Sequence, residues 1–490
     1  MNDVDFLTWL KNPLAIPLVL IEVAVRVSGV ETTKYLSTGV FVTGPADTPS
    51  NLAYEPIVST GVQFSEQLSL DGEASLSTGD IELSNANGER DGWLGAGSVW
   101  TNRPVRAWIG DPRWPRADFR MIFNGIVADI APKGRDMLAL KLRDKMQRLN
   151  APATESKLAS SLNADAVLPL SFGEVHNITP LLVDPVMLQY QVHDGACESI
   201  FEVRDNGLPV AAVAVNSTGK LTINANPVGA ITASVQGDKP GAYANTIAAL
   251  VQRLVTGYGS AADRFTSADL DIASLAAFDA AHQQPVGLYL QGRTNVISAC
   301  QALTASVGAQ MALSRLGQLR LIQIALPAPG TPTEIRPEHI VGDTLEPTVR
   351  PEVVAAVKLG FCKNWTVQPG LQTSIPAQHK ELFATEWLTA TSTNSPVRTI
   401  YRQTLDPVQQ DTMLLRRADA DAEAARQLAL WSSPRMVYEF EGLPEMLMLE
   451  LGQPIVIYNR RFGMEAGVPG IVISLAPNWE SAHCKVGILV

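Results

Sequence analysis

Pro104-Val105-Arg106-Ala107-Trp108-Ile109, then Ile122-Phe123-Asn124-Gly125-Ile126-Val127-Ala128-Asp129-Ile130, then Met137-Leu138-Ala139-Leu140-Lys141-Leu142 make three strand-like stretches in close succession. The end of the chain carries a similar run. It reads Pro454-Ile455-Val456-Ile457-Tyr458, then Val468-Pro469-Gly470-Ile471-Val472-Ile473-Ser474-Leu475, then Cys484-Lys485-Val486-Gly487-Ile488-Leu489-Val490. Each copy reads as a strand, an arm holding a phenylalanine (Phe119, Phe462), a strand beginning at glycine, a turn and a closing strand. A chain with two similar β-modules presents two similar faces, and three such chains would present six.

Working outward, residues 1–150 read as an N-terminal β-module. Strands are expected near 16–27, 34–43 and 57–70, with Gly44-Pro45, Asp71-Gly72, Asn87-Gly88 and Gly95-Ala96-Gly97 as turns. Residues 151–240 read as a β-rich insertion domain, entered through a Ser, Ala and Pro linker. It is punctuated by the hairpin turns Asp205-Asn206-Gly207 and Ser217-Thr218-Gly219. Residues 241–350 read as an α+β domain. One helix is expected over 243–255, with Ile247, Leu250, Val251 and Leu254 on one face, and a second from Ser267 or Ala268. A third, capped by Thr294 or Asn295, carries Val296, Cys300, Leu303 and Val307. A hairpin turning at Arg315-Leu316-Gly317-Gln318 and a proline-rich connector follow. Residues 351–490 read as a strand-helix-strand region ending in the second module. Strands are expected at 353–361 and 397–404. A long helix is expected with Asp406 as N-cap and Pro407 at its first position, carrying a stripe of Leu414, Ala418, Ala422, Ala425 and Ala429. The expected class is α+β, β-rich and multidomain: two related small β-barrel-like modules plus a central α+β region.

Composition narrows the function. The 490 residues are 46% hydrophobic and 18% charged, with 36 Gly and 32 Pro in no short period, which excludes collagen-like and low-complexity chains. A net charge of −11 is wrong for binding nucleic acid through phosphate neutralisation. It suits a soluble surface, or one past which DNA slides. Cys197, Cys300, Cys362 and Cys484 are far apart and form no CxxC pair, so neither a disulfide scaffold nor a zinc site is expected. The apolar stretch from Leu14 to Val27 is interrupted by Pro17, Glu22 and Arg26 and is too short to span a bilayer. No stable membrane insertion is expected, and synthesis is expected in a cytoplasm.

There is no GxSxG elbow, HExxH or P-loop, and Gly257-Tyr258-Gly259 follows a helix instead of a strand. Cys197 lies near His193, but on a strand and turn, which favours a buried thiol over a nucleophile. Glu441 with Glu445, and Asp419 with Asp421 and Glu423, read as solvated faces and not as a glycosidase pair. Trp93, Trp100, Trp108 and Trp114 could form a platform for sugars or pack in a core and between subunits; packing is favoured. Arg113-Trp114-Pro115-Arg116 reads as an exposed arm. The Ala-rich helix could pack within its domain or against a symmetry mate. No catalytic, cofactor-binding or metal-ligating residue is expected, and no cofactor.

Certain stretches resemble a known class. Ile81-Glu82-Leu83-Ser84-Asn85-Ala86-Asn87-Gly88-Glu89-Arg90-Asp91, Arg103-Pro104-Val105-Arg106 and Phe123-Asn124-Gly125-Ile126-Val127 are similar to tail-tip proteins of long-tailed (siphophage-type) bacteriophages and prophages. Val203-Arg204-Asp205-Asn206-Gly207, the helix from Ala418 to Trp431, Tyr438-Glu439-Phe440 and Leu449-Glu450-Leu451-Gly452-Gln453-Pro454 share the resemblance. It implies a structural, non-enzymatic baseplate or tail-hub protein. The homotrimer would form a pseudo-sixfold ring between a tail tube or distal tail protein and tip or fibre proteins, with the tape-measure protein and passing genomic DNA in its channel. Its location would be the tail tip of the virion, after synthesis in the host bacterial cytoplasm. Some such hubs hold an iron–sulfur cluster, for which this sequence lacks clustered cysteines. The alternatives are a hexameric distal tail ring and a tail-associated cell-wall hydrolase or glycan-binding adhesin.

Overall fold

The computed structural model describes residues 1–60, 63–70, 74–158, 164–371 and 373–490; the expected Asp71-Gly72 turn lies outside the described residues. The chain divides into two compact units, each built from non-adjacent segments. The first comprises Met1–Gln147, Met311–Pro351 and Arg435–Val490, and the second Arg148–Gln310 and Glu352–Pro434. The division expected along the sequence was consecutive. The difference arises from pairing across sequence: in the first unit Thr333–Ile335 lies parallel to Pro454–Ile457, with Thr333 opposite Ile455.

Both repeats fold in the first unit, and they pair in the same register. In the first copy Pro104–Gly110, Arg120–Pro132 and Met137–Arg143 form an antiparallel meander, with Val105 opposite Gly125 and Leu140 opposite Ile130. In the second, Pro454–Ile457, Val468–Asn478 and His483–Leu489 do the same, with Ile455 opposite Gly470 and Val486 opposite Leu475. The register slips between Val127 and Asp129 in one copy and between Val472 and Ser474 in the other, in each case directly after the second residue past the glycine (Gly125, Gly470), pairing with the closing strand having begun at the first. A bulge at one matched place bends both long strands alike. The likeness extends one strand back. Ile81–Ser84 pairs with the closing strand of the first copy, Glu82 opposite Ala139, and Val437–Gly442 with that of the second, Glu441 opposite Lys485. Each set of four is a Greek key in which the earliest strand lies beside the last. A 3-10 turn (Asp91–Leu94, Pro444–Met448) sits in each connection between the earliest strand and the meander.

The sheets differ at their ends. The first continues from Pro104–Gly110 to antiparallel Leu18–Val27 and Val30–Ser37, and on the other side to Val58–Thr60. Glu55 bridges its ends, accepting from the Ser37 N–H at 2.8 Å and donating to the Tyr35 carbonyl at 2.9 Å, so the sheet is nearly closed into a barrel. The second sheet ends instead in short Thr333–Ile335 and Glu346–Val349. The alternation that marked Ile81–Ser84 puts Ile81 and Leu83 fully inside. One apolar core holds residues of both sheets, including Ile109, Val127 and Leu140 of the first and Ile457, Val472 and Val486 of the second.

In the second unit a five-stranded sheet (Leu208–Pro209, Cys197–Asp205, Ile231–Asp238, Leu170–Ile178, Gly287–Leu290) and a four-stranded sheet (Leu181–Asp184, Gln189–Gln191, Lys220–Ile223, Ala212–Val215) accompany helices. Ile247–Gly257 buries Leu250, Val251 and Leu254, and Val296–Ala305 buries Cys300 and Leu303, as their spacing requires. Expectations change at several places. The helix expected from Ser267 or Ala268 is there only a 3-10 turn, Ser267–Asp269; the α-helix is Ile272–Ala281, capped by Asp271. The stretch 397–404 is not a strand: Ser395–Ile400 is helical, capped by the Asn394 side chain accepting from the Val397 N–H at 3.2 Å. The long helix is Arg417–Trp431, starting well past Pro407, because Gln409–Asp411 is drawn into parallel pairing with Ala356–Phe361. Ala418, Ala422, Ala425 and Ala429 are exposed, while Ala420, Ala424 and Leu428 pack inward. Alanine sits on either face at little cost, so Leu428, packed in a cluster with Val357 and Leu359, sets the helix rotation. Among the described residues no helix is long and apolar enough to cross a membrane.

The matched glycines test the duplicated register. A Cβ on Gly470 would meet the Leu489 carbonyl oxygen at 2.8 Å, and one on Gly125 the equivalent Arg143 oxygen at 3.1 Å and the Phe123 ring at 2.6 Å. Gly470→Ala and Gly125→Ala are each expected to cost about 1–3 kcal/mol in urea denaturation. An unchanged midpoint in both would show that neither sheet needs the close approach.

Candidate assembly site

A hairpin and a strap join the two sheets of the first unit, the nearly closed one, hereafter the first barrel, and the open one, hereafter the second. The strap is Phe64–Gln67, which precedes the first meander in sequence yet pairs with the second barrel, Ser474 opposite Gln67 and Leu475 opposite Glu66. Its partner Ser75–Thr78 reaches back: Thr78 Oγ1 donates to the Leu142 carbonyl at 3.0 Å. Phe64 and Phe123 pack with ring centroids 5.7 Å apart.

The hairpin is Ala309–Leu313 with Leu319–Gln323, turning where the sequence places it. Asn124 Nδ2 of the first barrel donates to the Leu316 carbonyl at 2.9 Å, and Gly317 packs so closely that a Cβ would lie 2.5 Å from the Asn124 oxygen. Gly317 also has φ +70°, a conformation glycine adopts without strain. On the other side the Arg315 guanidinium donates to the carbonyls of Leu447 (2.7 Å) and Leu449 (2.5 Å) and lies over Trp479 at 5.7 Å. The turn thus holds one barrel through Asn124 and the other through Arg315.

Glu66 lies at this junction, 8% exposed. Burial raises its carboxyl from 4.5 to about 7, against the opposing pull of Arg315 and Arg320 and with the support of Glu450 and Asp144. Burial likewise raises Asp144 to about 6, opposed by the Met146 N–H and Lys145. Arg320 pairs with Glu450. Glu66 lines two small cavities, one also bounded by Asn124, Asp144 and Lys145, the other by Arg320 and Glu450. Beyond a turn at Arg315 this cluster is not legible in the sequence, since Glu66, Asp144, Arg315 and Glu450 come from four separate segments.

The residues singled out by sequence separate. Burial pushes the Cys197 thiol up to about 11. His193 accepts the Ser171 N–H at Nδ1 (3.1 Å), and its Nε2 lies 3.3 Å from Asp238, which also takes Arg253 Nε (2.6 Å) and Tyr258 Oη (2.8 Å). The imidazole is thereby committed to holding the fold. Glu441 faces His483 at 3.3 Å, Glu445 pairs with Lys11 at 2.5 Å, and Asp421 with Arg417 at 3.3 Å. Glu423 is buried and held by Arg426 (2.8 Å) and Gln427 (2.9 Å), so it is not on a solvated face. Trp100 and Trp108 are buried, and Trp93 and Trp114 pack on Trp100 and Trp9 at 5.3 and 4.7 Å. Arg116 is not part of an exposed arm: it is buried, 2.9 Å from Glu22, 3.1 Å from Tyr54 Oη and 4.0 Å above the Trp108 ring. The arm phenylalanines differ too, Phe119 being buried and Phe462 half-exposed against Tyr438. Among the described residues no group of three His, Cys, Asp or Glu is placed to hold a metal ion.

No family model and no curated protein matches the sequence. Solved structures resemble it across nearly its whole length. The tail protein from Neisseria meningitidis MC58 is 9% identical over 96% of each chain, with a TM-score of 0.41. The prophage MuSo2 43 kDa tail protein from Shewanella oneidensis is 8% identical over 96% of this chain and 98% of that one, at 0.37. Prophage tail protein gp18 from Listeria monocytogenes EGD-e is 8% identical over 97% and 94%, at 0.41. The first of these is a tail protein and the other two are prophage tail proteins. Identities and scores this low carry no residue roles, and the functional reading stands on the chain's own geometry.

The Glu66 junction predicts a pH dependence. A carboxyl whose folded value lies above its unfolded value favours folding when protonated, so its cost is absent below the ordinary carboxylate range and full above pH about 7. Glu66→Gln is expected to stabilise the protein by about 1–3 kcal/mol at pH 8 and to leave it unchanged near pH 4. Equal effects at both pH values in thermal melts would sink this account of Glu66.

Proposed function

We propose that this protein is a structural ring subunit of a bacteriophage tail tip, a baseplate hub joining the tail tube to distal tip or fibre proteins. The carrying observation is one Greek key, with one register and one bulge position, built twice within a single compact unit. Three chains with two such barrels each would supply six related faces, which matches a sixfold tube on one side and threefold tip proteins on the other. In a hexameric distal ring one barrel per chain would suffice, so the duplication favours the trimer. The net charge of −11 favours a channel through which genomic DNA passes without sticking. The tape-measure protein would occupy that channel before ejection, and the protein would reside in the virion.

A tail-borne cell-wall hydrolase is the rival of another class. Against it stand the dispersal of Glu441, Glu445, Asp421 and Glu423 into separate ion pairs and the commitment of His193 to Asp238. Mass photometry of the purified chain is expected to give a species three times the 52.7 kDa chain mass, and cryo-EM of the tail end to show the two barrels alternating around one ring. A stable monomer at high concentration would overturn the ring, and a clear zymogram band on host peptidoglycan would overturn the purely structural role.

A further inference from the structure

The second unit carries an apolar loop that its own fold leaves uncovered. Ile400 is 73% exposed, Leu405 87% and Val408 88%, with Tyr401 beside them at 42%. Single exposed apolar residues are ordinary, but four within one short loop form a patch on the order of 500 Å². The loop is well braced. Arg398 donates to the carbonyls of Gln403 (3.0 Å) and Thr404 (3.2 Å). The Gln403 side chain accepts the Ala355 N–H (3.0 Å) and donates to the Val353 carbonyl (2.5 Å). The strand that follows, Gln409–Asp411, is paired with Ala356–Phe361. A loop held this way loses little freedom on binding, which is what a preformed contact element needs. Arg402 at its crest is exposed and makes no ion pair among the described residues.

The first unit offers a counterpart. An open groove of 350 Å³ crosses the outer face of the second barrel, walled by Thr344, Glu346, Glu439, Glu441, His483 and Lys485. Lys485 is engaged by Glu439 at 2.5 Å and His483 by Glu441 at 3.3 Å. Glu346 is exposed and enters no ion pair among the described residues, but it adds to the negative field at Lys485, so three carboxylates face Lys485 and His483 and the groove is net negative; on the loop, Asp406 lies 3.8 Å from Arg398, which leaves Arg402 as the cation it does not answer.

We propose that this loop of one copy seats in this groove of the next, with Leu405 and Val408 entering it and Arg402 facing Glu346. The proposal rests on the ring reading above and deepens it, because a ring is generated by contact between two different surfaces. The patch is smaller than the roughly 800 Å² per partner of a standard interface, so the loop would be the centre of the contact and its rim would supply the rest.

The full chain and three variants test it, each compared with wild type by thermal melt and mass photometry over a dilution series. L405D/V408D lies on exposed positions and is expected to keep its Tm while raising the concentration of half-dissociation about a hundredfold. R402E is expected to raise it about tenfold, and adding E346R in the same chain to restore it. A wild-type trimer that L405D/V408D leaves intact, or a double charge reversal that restores nothing, would overturn the loop contact while leaving the ring standing. A wild-type chain that remains monomeric would overturn both.

Discussion

The pairing of Phe64–Gln67 with the far half of Val468–Asn478 is the constraint on which the first unit depends. It takes a strand from the neighbourhood of the first barrel and spends its hydrogen bonds on the second. Two sheets that would otherwise be separate modules must then share one core. The same pairing carries Glu66 into the interior, where a carboxylate is expensive to desolvate. The cations that answer it, Arg315 and Arg320, come on a hairpin from the middle of the chain. Packing the barrels together and burying these charges are therefore one event, with Arg315 also satisfying the carbonyls of Leu447 and Leu449.

The repeated register has a local cause. Each long strand changes partner geometry at its bulge, which increases twist and lets one strand serve two parts of a curved sheet. In both copies a glycine precedes the bulge where the closing strand's carbonyl comes close, 2.8 Å from a Cβ on Gly470 and 3.1 Å from one on Gly125. The sheet ends escape this constraint and diverge: long antiparallel strands and near-closure in the first barrel, short strands in the second, one of them carrying Pro347, a residue that blunts an edge against further pairing. Duplicated centres with differing ends would give a ring related faces that are not interchangeable.

The chemistry-bearing side chains tell a consistent structural story. Asp238 gathers His193, Arg253 and Tyr258, Glu423 gathers Arg426 and Gln427, and Arg116 ties Glu22 to Tyr54 over Trp108. Each is a buried polar group satisfied by neighbours, the arrangement that fixes a fold.

Sequence by itself determined the repeated meander, its strands and turns, and the helices whose apolar residues recur at 3.6 spacing, because those signals are local: period-two alternation, Gly and Asn at turns, Leu and Val along one face. It also holds the cap at Asn394 with Pro396 behind it, which marks the helix that stands where a strand was expected. Only the tertiary structure decided that 409–411 would be strand and delay the long helix to Arg417, that Leu428 and not the alanine stripe would face inward, and that Arg116 would be buried. It alone brought Glu66, Asp144, Arg315 and Glu450 together from segments far apart. Such outcomes depend on which distant partner a segment meets, and neither propensity nor periodicity carries that information.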